Sequence, residues 1–109
     1  MVFSGLIVFA DDKNEASQGS NPILIDVRTH AEWDDGHIEK AIHIPLDKIS
    51  NTIEGFIEDK DQVIYLYCRS GNRSGQAEMA LKSIGYVNAK NVGGITEAST
   101  NLRLKILRD

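Results

Sequence analysis

Apolar residues along this chain gather into short β-branched runs, separated by stretches whose apolar positions recur at helical spacing. "ILIDV" (residues 23–27), directly after Pro22, has the pattern of a buried strand. Thr29-His30-Ala31-Glu32 matches a capping box, with Thr29 as N-cap and Glu32 three residues on. A short helix is predicted to about Asp35, stopping at Gly36. "AIHIPL" (41–46) predicts a second short strand, closed by Pro45. From Asp47, read as the cap, Ile49, Ile53, Phe56 and Ile57 fall at i, i+4, i+7 and i+8, the spacing of an amphipathic helix. "QVIYLYC" (62–68) is the strongest strand pattern in the chain. After a Gly/Ser/Asn loop, Ala77, Ala80, Leu81 and Ile84 share one helical face, and Gly85 ends that helix. "AKNVGGI" (89–95) predicts a further short strand, and the tail 96–109 a helix. Strands alternating with helices at this spacing predict an α/β domain with a mostly parallel central sheet.

At 109 residues the chain is one domain, with 41% hydrophobic and 26% charged residues and a net charge of -4. No basic footprint for a phosphate backbone is present, so nucleic acid is not an expected partner. Internal repeats and low-complexity tracts are absent. "VFSGLIVFA" (2–10) is too short to span a bilayer. It ends in Val8-Phe9-Ala10 before Asp11-Asp12, like the cleavage site of an export signal, but no basic residues precede it. Two readings stay open: the remnant of a signal peptide, which makes the protein periplasmic, or an ordinary first strand of a cytoplasmic protein. Residues 11–21 read as a polar linker.

Cys68 is the single cysteine, which excludes an internal disulfide and any multi-cysteine metal site. It stands where the strongest strand ends and a helix begins, in "YLYCRSGNRSGQA" (65–77). In a parallel sheet, ligands bind beyond the carboxyl ends of the strands. The thiolate is the nucleophilic form, and a free cysteine ionises near ~8.5. The helix start offers unpaired N–H groups and the positive end of its dipole, and Arg69 and Arg73 add fixed charge. Gly71 and Asn72 tolerate the backbone angles that turn successive N–H groups onto one atom. An inert core cysteine has no use for such a loop.

Three pieces, "LIDVRTHAEWDDGHIEKAIHIPL" (24–46), "YLYCRSGNRSGQA" (65–77) and "NVGGI" (91–95), occur in the order and spacing of a single-domain rhodanese. The chain resembles that family, especially the small bacterial type associated with the phage-shock response. The resemblance implies a three-layer αβα domain over residues 22–109 and thiosulfate sulfurtransferase activity. It implies that Cys68 attacks thiosulfate, becomes a persulfide and passes sulfur to a thiol, cyanide or a thioredoxin-like protein. Residues Arg69, Ser70, Gly71, Asn72, Arg73 and Ser74 then hold the anionic donor and the persulfide. No metal or organic cofactor, membrane or second subunit is implied. Cysteine phosphatases of related fold carry a Cys-x5-Arg loop, whereas Cys68 to Arg73 is Cys-x4-Arg and Ser74 stands at the phosphatase position. Phosphatase or arsenate-reductase chemistry, and a non-catalytic persulfide carrier or binding module, are the alternatives.

Other polar residues read as structural. Asp26, Arg28 and Glu32 are expected to tie the first strand to the following helix. His30, His37 and His43 lie seven and six residues apart, which matches no helical pair of metal ligands. Trp33 is expected in the core or at its rim, and Asp34 and Asp35 at the surface. The segment after Gly94 lacks the aromatic residue that many rhodaneses place beside the site.

Overall fold

The computed structural model describes residues 21–108. The proposed signal remnant and all but the last residue of the linker lie outside them. The elements in chain order are β1 (Ile23–Asp26), α1 (His30–Asp35), β2 (His37–Ile38), β3 (Ile42–His43), a 3-10 turn (Leu46–Lys48), α2 (Ile49–Phe56) and β4 (Ile64–Cys68). They continue with α3 (Asn72–Ser83), β5 (Ala89–Gly94), α4 (Ile95–Leu102) and β6 (Ile106–Leu107).

Four strands form a parallel sheet in the order β3-β1-β4-β5. Side chains alternate across it, as a strand period of two requires. Ile25 and Val27, and in β4 Ile64, Leu66 and Cys68, join one buried cluster with Ile49 and Ile53 of α2 and Ala77 and Leu81 of α3. Leu24 and Tyr67 face the opposite way, into a smaller cluster with Ile38 and with Ala98 of α4. Both faces are covered, which explains why β1 and β4 read as unbroken apolar runs instead of alternating ones. This is the expected α/β architecture: a four-stranded parallel sheet flanked by helices.

The capping box at α1 forms as expected: Thr29 Oγ accepts the Glu32 amide, and Glu32 Oε1 accepts the Thr29 amide at 3.0 Å. Gly85, at φ 103°, ends α3 with the Tyr86 amide donating to the Leu81 carbonyl at 3.0 Å.

Several expectations need correction. The strand expected over 41–46 is only Ile42–His43, because Pro45 lacks a donor and leads straight into the 3-10 turn. Asp47 lies within that turn and caps nothing; Lys48 occupies the N-cap of α2 without a side-chain bond. Phe56 is 58% exposed, since α2 ends there and the chain turns so that Ile57 takes the buried place. The tail is helical only to Leu102. Arg103 then adopts a left-handed conformation (φ 58°), and β6 pairs antiparallel with β2. That two-stranded ribbon seats Ile38 and Ile106 in the smaller cluster, a tertiary demand invisible in local pattern.

At the end of β1, Asp26 is wholly buried and Arg28 nearly so. Arg28 donates to both Asp26 carboxylate oxygens at 2.7 to 3.0 Å and to the Gly36 carbonyl at 2.6 Å. The strand end is thus tied to the C-terminus of α1. Tyr67 lies against this pair, with the Arg28 guanidinium 5.6 Å from its ring centre, and its hydroxyl accepts the Ile38 amide at 3.0 Å. Burial first, and then the hydrogen bond to Asp26, push the Tyr67 phenol up. Removing one member of a buried pair strands the other charge. Asp26→Ala is therefore expected to lose about 3–5 kcal/mol in urea unfolding, and the Asp26→Leu/Arg28→Met double variant clearly less. Equal losses in the two variants would contradict this.

Candidate active site

Cys68 is the last residue of β4, and the loop 69–71 carries the chain into α3. Gly71 is the N-cap of α3 at φ 104°, a left-handed conformation that glycine adopts at little cost. That twist turns the Gly71 amide back onto the sulfur, to which it donates at 2.9 Å. The Ser74 hydroxyl, in the first turn of α3, lies 3.4 Å from Sγ. The amide of Gly71 and the hydroxyl of Ser74 therefore meet at one sulfur atom.

The register of the sheet holds the loop closed. Cys68 pairs with Gly94 of β5 past an irregularity between Leu66 and Cys68. A Cβ on Gly94 would sit inside the Arg69 carbonyl and 3.2 Å from the Ser70 Cα. Only glycine lets β5 approach the loop so closely, which is a physical reason for the second glycine of "NVGGI".

Burial pushes the Cys68 thiol up, but hydrogen bonds from the Ser74 hydroxyl and from the amides of Ser74, Gly71 and Ser70 outweigh it. The net position is below the ordinary cysteine value. The sequence credited both the N–H groups at the helix start and the charges of Arg69 and Arg73 with this effect; the strongest contributions are the neutral N–H and O–H donors. Cys68 is also deeper than its place at a strand end suggested. It has 0% accessible surface.

Arg73 has another partner. Its two terminal nitrogens donate to the two oxygens of Glu32 at 2.8 and 2.9 Å, a bidentate pair between α3 and α1. Glu32 was expected to serve β1 and α1. It does so through Thr29, while its carboxylate reaches the active-site loop as well. The Arg73 hydrogen bond holds that carboxyl down to about 2. Arg69 and Ser70 are exposed, and among the described residues Arg69 enters no ion pair. Asn72 is exposed and accepts a hydrogen bond from Gln76.

Beside Arg69 and Ser70 an open cleft of about 480 Å3 runs to α4, where Thr96, Glu97 and Thr100 line it. None of the residues lining this cleft is aromatic, as the sequence after Gly94 led one to expect.

The histidines serve the fold around Trp33. The His37 ring stacks on the indole at 3.6 Å and the His43 ring at 4.9 Å. His37 Nδ1 donates to the Trp33 carbonyl and His43 Nε2 to the Arg28 carbonyl. His30 is exposed beside Asp34.

Asn91 of β5 escaped the sequence reading. Its side chain accepts from the Ser74 hydroxyl at 2.7 Å and donates to the Gly71 carbonyl at 3.0 Å. The only signal was a polar residue, next to Lys90, inside a short strand pattern.

The Glu32–Arg73 pair sets an acid limit. A carboxyl held lower in the folded chain stabilises it fully above the unfolded value of ~4.3, and that contribution is lost as pH falls toward about 2. The stability advantage of the native chain over Glu32→Gln, measured by urea unfolding, is expected to shrink between pH 6 and pH 3. A constant difference would contradict it.

The model of the family described as "Rhodanese-like domain" matches residues 9–100. The chain is 36% identical over 73 residues to thiosulfate sulfurtransferase PspE of Escherichia coli (strain K12), covering 67% of this chain and 70% of that protein. It is 31% identical over 99 residues to the tRNA uridine(34) hydroxylase of Sodalis glossinidius, spanning 86% of this chain but only 28% of that protein. Among solved structures, a rhodanese with anions from E. coli matches with a TM-score of 0.74 at 29% identity, over 82% of this chain and all of that one. A human single-domain sulfurtransferase, TSTD1, shares the fold with a TM-score of 0.62 at 23% identity, over 73% of this chain and 81% of that one. With its family model running through both the Cys68 loop and the strand that closes it, this chain belongs to the rhodanese family of sulfurtransferases.

Proposed function

We propose that the chain moves sulfane sulfur from thiosulfate, or a related anionic donor, to a thiophilic acceptor through a persulfide on Cys68. The observation that carries this reading is the Gly71 amide 2.9 Å from Sγ, beside hydrogen bonds from the Ser74 hydroxyl and the Ser70 and Ser74 amides. Thiosulfate as the donor is supported by the similarity to the E. coli thiosulfate sulfurtransferase.

In the first step the Cys68 thiolate attacks the outer sulfur of thiosulfate. The new S–S bond forms as the old one breaks, and sulfite leaves with the bonding pair. The enzyme then carries a persulfide anion, Cys68 Sγ–S⁻. In the second step a nucleophile such as cyanide attacks the terminal sulfur, thiocyanate leaves and the thiolate is restored. This splits one transfer into two displacements at sulfur. Amides aimed at the sulfur stabilise the anion in both forms, as donors in an oxyanion hole do. Arg69 is the cation offered to the sulfonate oxygens of the donor. Arg73 contributes its charge from a position fixed by Glu32. No metal or organic cofactor enters either step.

Residues 2–10 support an exported protein, and a thioredoxin-like dithiol is then a suitable acceptor. Both extend the proposal.

Intact mass after brief exposure to thiosulfate is expected to rise by one sulfur atom in the native chain and not in Cys68→Ser. Cyanide is expected to reverse the gain and release thiocyanate. An unchanged native mass would overturn the reading, and Cys68-dependent hydrolysis of an aryl phosphate in its place would support the phosphatase alternative.

A further inference from the structure

The Ser74 side chain has one proton and two acceptors within reach. Its oxygen lies 2.7 Å from Asn91 Oδ1 and 3.4 Å from Cys68 Sγ. A hydroxyl donates one hydrogen bond at a time, so the shorter contact holds the proton while the sulfur is a neutral thiol. Ser74 is fully buried, and water cannot supply a substitute donor. Asn91 Oδ1 also receives the Gly93 amide at 2.9 Å and stays paired if the hydroxyl turns away. The other half of the Asn91 amide donates to the carbonyl of Gly71, the residue whose N–H meets the sulfur. The Asn91 backbone amide is itself held by Glu78 Oε1 at 2.7 Å. One side chain on β5 therefore grips two of the residues that donate to the sulfur, Ser74 by its hydroxyl and Gly71 by its carbonyl.

We propose that Asn91 is a positioning residue for the Cys68 chemistry: it parks the Ser74 hydroxyl while the sulfur is neutral, yields it when the sulfur carries charge, and anchors Gly71 throughout. The inference rests on Cys68 being the reacting group. A buried hydroxyl already 3.4 Å from Sγ supplies a donor at the moment of ionisation by turning its proton, with no rearrangement of the backbone. Gly75, whose Cβ position lies 3.4 Å from Asn91 Nδ2, leaves room for this side chain between α3 and β5.

The charged groups around the sulfur are largely committed elsewhere. Arg73 of α3 is bound to Glu32 of α1, and Asp26 and Arg28 close on each other at the end of β1. Glu78 of α3 holds the Asn91 amide, Glu97 of α4 accepts the Gly94 amide at 3.2 Å, Lys90 of β5 is exposed, and Arg69 is next to Cys68 in the loop. The Ser74 hydroxyl is the donor able to change partner.

The test is the ionisation midpoint of Cys68, read from the rate of iodoacetamide alkylation against pH. It is measured in the native chain, Asn91→Asp, Ser74→Ala and the double variant. A carboxylate at position 91 holds the hydroxyl more firmly than an amide oxygen does. Asn91→Asp is expected to raise the midpoint by about one unit, a tenfold fall in thiolate. With Ser74 replaced by alanine, the same substitution is expected to move it less than half as far, because the coupling runs through the hydroxyl. Equal shifts in the two backgrounds would overturn the proposal, since the carboxylate would then act through space alone. Should Asn91→Asp fail to fold by circular dichroism, Ser74→Ala by itself decides: a raised midpoint supports the proposal and an unchanged one overturns it. The midpoint is read without thiosulfate, so its outcome is separate from whether sulfur is transferred.

Discussion

A sulfur atom with no accessible surface can hold a negative charge only if fixed donors more than replace the water it has lost. In this chain the donors are the Ser74 hydroxyl and the amides of Ser74, Gly71 and Ser70, and the rest of the structure is arranged to aim them. β4 ends at Cys68, α3 begins four residues later, and the left-handed Gly71 between them turns its N–H inward. Gly94 brings β5 against the outside of the loop, and Asn91, three residues earlier on the same strand, ties the loop down. The site is a consequence of how one strand, one helix and one edge strand meet.

Charge plays a supporting part. Arg28 is consumed by Asp26 and Arg73 by Glu32; the second pair joins α1 to α3, and Arg28 reaches the end of α1 through the Gly36 carbonyl. α1 has no buried residue of its own, so these pairs, its capping box and the Trp33 stack on His37 and His43 fix its position. The guanidinium of Arg73 is thereby placed near the loop yet barred from embracing an anion with its full fork. In the proposed reaction, recognition of an anionic donor then falls on backbone amides and on Arg69, a neutral-rich arrangement suited to sulfur, whose charge is diffuse.

What was legible in the sequence was local. The strands β1 and β4, the Thr29–Glu32 capping box, the Gly85 stop and the inward-curling Cys68 loop each depend on residues within a few positions of one another, and each formed. What stayed hidden depends on distant partners. Glu32 meets Arg73 across 41 positions and Asn91 meets Ser74 across 17, and no periodicity records either contact. The β2–β6 ribbon was missed for the same reason, since two-residue strands carry too little pattern to be seen without each other. Phe56 misled because helical spacing marks a face and not where the helix ends. The depth of Cys68 was underestimated because position at a strand end says nothing about how tightly the following loop closes.

Proton NMR of the backbone amides around the sulfur tests the central claim most directly. As pH is raised, the Gly71, Ser70 and Ser74 amide signals are expected to move together along one titration with a midpoint below ~8.5, and to stay still in Cys68→Ser. Amides that do not respond to Cys68, or a shared midpoint at or above the free cysteine value, would mean that these donors do not hold the charge.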